Sequence, residues 1–168
     1  MKYSYLDMAE MDFRYAHLGS AVQLLKNKNY GTKRTLSSID THVLDFINKN
    51  NGITLTQLSE HMMRTKSTLS PVVNALIDEK LIEKKQNDQD KRSFGLALTK
   101  KGREVLEKHY EYNNKLYKVI SDYIIEKYGE EYLDAYYEIV DMNIKIIENS
   151  IKNGNEVTGD LAKDFFHL

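Results

Sequence analysis

The chain has 168 residues, of which 24 are basic and 25 acidic, with one Pro, no Cys and no Trp. That length suits one domain, or one domain with helical extensions. The lack of Cys excludes disulfides, thiolate catalysis and Cys-based zinc sites. No run approaches the ~18 apolar residues that cross a bilayer, and residues 1–10 lack the basic start and apolar stretch of a secretion signal. A cytoplasmic location and no membrane partner are expected. Charge is unevenly spread. Residues 64–103 hold 10 basic and 5 acidic side chains, whereas residues 104–168 hold 7 and 14. The middle block is either a polyanion footprint or a Lys-rich solvated face.

Apolar residues at helical spacing (Leu6, Phe13, Ala16, Leu18, Val22, Leu25) predict a first helix over 5–29, with Gly31 as a left-handed cap. Ser37 or Ser38 opens a second helix burying Ile39, Val43, Leu44, Phe46 and Ile47, stopped at Asn50-Asn51-Gly52. Thr54-Leu55-Thr56-Gln57 is close to a capping box for a short helix to His61. A second short helix, capped by Thr65 or Ser67, runs to about Lys80 over Leu69, Val72, Val73, Leu76 and Ile77. Pro71 lacks an N–H and is best placed near a first turn, which favours Ser67 as the cap. The period then changes to that of two short strands, 81–85 and 94–98, joined by the polar link 87–93. Thr99 caps a long helix to about Tyr128, Gly129 breaks it, and Glu130 to about Lys152 forms the last helix. The tail 153–168 mixes Gly with Leu161, Phe165 and Phe166.

Two short helices joined by a tight turn and followed by a hairpin describe a winged helix-turn-helix, whose second helix enters the DNA major groove. In Asp90-Lys91-Arg92 the hairpin tip offers an Arg suited to a narrow, electronegative minor groove, with an acid two residues earlier to hold it extended.

Several stretches together resemble the MarR family of winged-helix transcription regulators. They are Leu36-Ser-Ser-Ile-Asp-Thr-His-Val-Leu-Asp-Phe-Ile47, Leu55 to His61, Ser67-Thr68-Leu69-Ser70-Pro71, Leu76 to Ile82, Asp88-Gln89-Asp90-Lys91-Arg92, and Leu98-Thr99-Lys100-Lys101-Gly102. The resemblance covers about residues 36–110 in detail, and the flanking helices match in order and length. It implies a homodimeric transcription regulator, expected to be a repressor, on double-stranded DNA. The fold class is mainly α with a two-stranded wing: 1–35 a dimerisation helix and linker, 36–103 the DNA-binding lobe, 104–168 dimerisation helices and tail. Arg92 becomes the wing-tip Arg and Asp90 its partner. Lys66, Ser67, Thr68, Ser70, Pro71 and Asn74 remain on the outer side of the recognition helix. Many relatives carry an Arg where Pro71 stands, so the bidentate guanine contact is missing here. Arg64, Lys66, Lys84, Lys91 and the pair Lys33-Arg34 are the expected phosphate contacts. A two-fold dimer implies a near-palindromic site with half-sites about one helical turn apart.

The resemblance also implies a small effector, aromatic or phenolic, bound near Phe13, His17, His42, Phe46, His109 and Tyr112. No cofactor and no resident metal are expected. An alternative is zinc sensing through His42 and His109, since zinc sensors of the family place His similarly, although Asn113 stands where they have a further His. A protein-binding adaptor without DNA affinity is the other alternative. There is no nucleotide-binding Gly loop, His-Glu-x-x-His or nucleophile elbow, so the chain is not expected to be an enzyme.

Overall fold

A computed structural model describes residues 4–22, 30–86 and 94–154. The elements follow the order α1 (Tyr5–Val22), α2 (Ser38–Lys49), α3 (Leu55–His61), α4 (Lys66–Asp78), β1 (Ile82–Gln86), β2 (Phe94–Leu98), α5 (Lys100–Tyr128) and α6 (Glu130–Asn153). The chain forms two compact units, residues 1–112 and 113–168, with α5 continuing from the first into the second. Among the described residues no helix is long and apolar enough to cross a membrane.

In the first unit, α2 begins where the sequence favours it. Ser37 accepts from the Asp40 N–H while the Asp40 carboxylate accepts from the Ser37 N–H, a reciprocal capping box. Thr54 and Gln57 do the same for α3. The core is built from Leu36, Leu44, Ile47, Leu58, Leu69 and Leu76, each at most 2 % exposed, and is closed by Leu81, Leu96 and Leu106. At roughly 1.5–3 kcal/mol for each fully buried aliphatic side chain, this cluster is the main stabilising element of the lobe. Tyr30 joins it from the segment before α2, which the hydrophobic pattern did not indicate.

The hairpin is antiparallel, with Ile82 opposite Leu98 and Gln86 opposite Phe94. β1 therefore starts one residue later than the predicted 81, because Leu81 is turned fully into the core and its N–H closes the end of α4 on the Leu76 carbonyl. A further bridge was not foreseen: the Gly52 N–H donates to the Leu96 carbonyl at 2.9 Å and the Leu96 N–H to the Ile53 carbonyl at 2.8 Å. The loop after α2 thus roots the wing. Gly95 is required there, since a Cβ would stand 2.4 Å from the Gly52 carbonyl oxygen. Thr99 caps α5 as expected, accepting from the Gly102 N–H at 3.0 Å. Gly129, at φ +103, separates α5 from α6. Gly31 is left-handed at φ +88, but the helix end it was expected to cap falls in 23–29, outside the described residues.

Candidate nucleic-acid interface

The helix-turn-helix is made by α3, a tight turn and α4. Met63 takes a left-handed φ of +48, and the Arg64 N–H donates to the Ser59 carbonyl at 3.0 Å. That geometry makes Thr65 the N-cap of α4: its Oγ1 accepts from the Thr68 N–H at 3.2 Å and lies 2.8 Å from both the Ser67 and the Thr68 hydroxyls. The expectation that Ser67 would cap is corrected. Pro71 then lies at the sixth position of the helix rather than in its first turn. The N–H it lacks would have bonded the Ser67 carbonyl, and both residues are exposed, so solvent can satisfy that carbonyl.

α4 buries Leu69, Val73 and Leu76 on one face. Ser67, Pro71, Asn74 and Asp78 follow at i, i+4, i+7 and i+11 on the opposite face, and all four are exposed. Lys66 and Thr68 are exposed at its flanks, and Ser70 is half-buried. The outward face therefore carries a hydroxyl, a pyrrolidine ring, a carboxamide and a carboxylate, and no cation. Arg64, Lys66 and Lys84 are exposed, and among the described residues none of the three has an ion-pair partner. Lys84 on β1 and Asn74 on α4 line a shared cleft of about 200 Å³ with Ser70, Phe94 and Leu96. Asp90, Lys91 and Arg92 lie outside the described residues.

Arg34 is not available as a phosphate contact. Its Nη1 and Nη2 each lie 2.7 Å from a carboxylate oxygen of Asp40, which is 2 % exposed. Burial pushes the Asp40 carboxyl up, but the Arg34 guanidinium and the Ser37 hydroxyl and N–H outweigh it, so the carboxyl stays below its ordinary value.

The six residues named for an effector fall in three places. Phe13 and His17 are exposed on α1, their rings parallel within 8° and 6.2 Å apart. His42 and Phe46 line a cavity of about 340 Å³ with Asp45, Lys49 and His61. His61, which carried no motif, stacks on Phe46 at 3.5 Å; the contact joins α2 to α3 and has no local sequence signal. His109 is buried and turned elsewhere, its Nδ1 3.1 Å from the Tyr30 hydroxyl, and Tyr112 is half-buried nearby on α5. Among the described residues no three His, Asp or Glu side chains gather as a metal site. The Asp45 carboxylate is held by Lys49 at 2.8 Å and by the Tyr110 hydroxyl; burial raises it, and these two hydrogen bonds bring it below its ordinary value.

An exposed second helix on a turn, backed by a rooted two-stranded wing, defines a winged helix-turn-helix module. Residues 36–94 match the MarR family. The segment is 42 % identical over 59 residues to the HTH-type transcriptional regulator PetP of Rhodobacter capsulatus, a match covering 35 % of this chain and 36 % of PetP. The chain thus spans about a third of that relative's length. Over most of its length the fold is that of Streptococcus pneumoniae FabT, solved in complex with DNA (TM-score 0.65, 25 % identity, 85 % of this chain and 99 % of FabT). It is similarly close to a MarR protein from Peptoclostridium difficile (TM-score 0.67, 25 % identity, 83 % and 88 %).

Proposed function

We propose that this protein is a sequence-specific DNA-binding transcription regulator that acts as a homodimer on a near-palindromic operator, in the cytoplasm with the DNA it controls, and works by binding rather than by catalysis. The observation that carries the reading is the outward face of α4: Ser67, Pro71 and Asn74 are exposed opposite a closed core, flanked by the exposed cations Arg64, Lys66 and Lys84. Base-edge groups in the middle and phosphate-binding cations at the margins are what a major-groove reader needs. FabT, which shares the fold, has been solved on DNA. Arg92, with Asp90 and Lys91, would place the wing in the minor groove.

In the homodimer, residues 1–35 and 104–168 supply the pairing helices around the lobe 36–103. Supporting this, Tyr132, Tyr136, Ile139 and Ile147 share one face of α6 and are each at least 40 % exposed in the single chain. A small aromatic or phenolic effector would act by binding the DNA-competent and incompetent dimers unequally. The cavity of His42, Phe46 and His61 is one candidate site for it. Titrating the chain with labelled duplex at two salt concentrations tests the reading. Saturable binding that weakens steeply with salt is expected; equal, weak association with every duplex would sink it and favour the adaptor alternative.

A further inference from the structure

The face of α4 that points away from the core has a definite chemistry. Ser67, Pro71, Asn74 and Asp78 form its ridge, and neither Arg nor Lys stands among them. Lys66, the one cation of α4, lies beside that ridge at the first helical position. A guanine is read most often by a bidentate cation on its O6 and N7, and the ridge has no group that can do this. What it does have suits other bases. The pyrrolidine ring of Pro71 is a rigid apolar surface of the kind that packs on a thymine C5-methyl, and the Thr68 side chain flanks it. Asn74 is one turn further on, and a carboxamide can pair with adenine N6 and N7 together. The Ser67 hydroxyl lies 2.8 Å from the Thr65 cap, so it is partly committed inside the protein and contributes little discrimination. Asp78 is on the same ridge but at the C-terminal end, away from the N-terminal half that usually meets base edges.

We propose that α4 reads an A·T half-site, with thymine methyl groups against the Pro71 ring and an adenine on the Asn74 carboxamide, and makes no guanine contact. The inference rests on the DNA-binding reading above and deepens it. It also accounts for a Pro inside the helix. The ring occupies the ridge position where a longer polar side chain would otherwise set the base preference.

The test is selection of bound duplexes from a random pool by the full chain, followed by titrations of the enriched half-site. In these, each thymine is replaced by uracil, or each guanine by 7-deazaguanine. The expected half-site is A·T at its centre. Uracil at the contacted thymine weakens wild type about fourfold, the effect of one buried methyl, and leaves Pro71→Ala unaffected. That variant restores a backbone N–H and so favours folding. Asn74→Ala loses about tenfold in preference for the adenine. Pro71→Arg, which adds the missing cation, acquires a guanine in its selected site. The inference is overturned by wild-type sites centred on guanine and weakened by 7-deazaguanine, or by indifference to uracil. A pool from which nothing is enriched would overturn the DNA-binding reading and the inference with it.

Discussion

Arg34 and Asp40 form a two-pronged ion pair, Nη1 and Nη2 each 2.7 Å from a different carboxylate oxygen, and the same carboxylate accepts the Ser37 N–H at 2.7 Å. One buried acid therefore fixes the linker before α2 and caps that helix. Its folded pKa is depressed, so its contribution is complete above the ordinary carboxylate value of about 3.9 and is lost as pH falls through the lower folded value. Asp40→Asn is expected to cost about 2 kcal/mol at neutral pH. That is less than a fully buried pair would lose, because Arg34 keeps some water contact. Urea midpoints measured from pH 7 down to about 3 should fall less steeply in the variant than in wild type.

Tyr110 on α5 donates to Asp45 on α2, and burial followed by the Asp45 contact pushes its hydroxyl up to about 12. This is a raised group, so its contribution is whole below the unfolded value of about 10 and disappears as pH rises through 12. Tyr110→Phe should lower stability by about 1–2 kcal/mol at neutral pH and flatten the alkaline decline. Burial also raises the Tyr30 hydroxyl, so phenolate absorbance should show one fewer late-titrating tyrosine in the variant than in wild type.

The wing is anchored by backbone bonds that leave no room for a side chain at Gly95. Gly95→Ala must push β2 away from Gly52, at about 1–3 kcal/mol. Circular dichroism should still show the helices, while the wing-dependent share of DNA affinity falls. Full retention of both stability and affinity would mean the loop after α2 does not root the wing.

Lys84 projects from β1 beside Asn74 without an acidic partner among the described residues. If it meets a phosphate, Lys84→Ala should weaken binding equally on all sequences. The slope of log affinity against log salt should then fall by about one per protomer. A change in sequence preference instead would move Lys84 from phosphate contact to base reading.

The lobe was legible because its signals are local. The capping boxes Ser37–Asp40 and Thr54–Gln57, the spacing of Leu69, Val73 and Leu76, and the switch to strand period all lie within a few residues of what they specify. What escaped the sequence depends on contacts between distant segments. The Ile53–Leu96 bridge, the Tyr30–His109 pair and the Phe46–His61 stack join residues that no short window contains. The cap of α4 was misplaced for a related reason. The Pro71 rule favours a later start, but the left-handed Met63 and the Arg64–Ser59 bond fix the turn two residues earlier, at Thr65. Arg34 has the sequence context of a surface cation, and only its pairing with the buried Asp40 turns it inward.

Whether α4 and the wing grip DNA together is decided by fluorescence anisotropy. Wild type and Arg92→Ala would be titrated with the duplex upstream of the protein's own gene, each at a low and a physiological salt concentration. The expected result is saturable, salt-sensitive binding by wild type and an affinity at least about tenfold weaker for Arg92→Ala, the loss of one well-placed charged contact per half-site. Ligand-stripped wild type that ignores this duplex and random duplexes alike at low salt would contradict it.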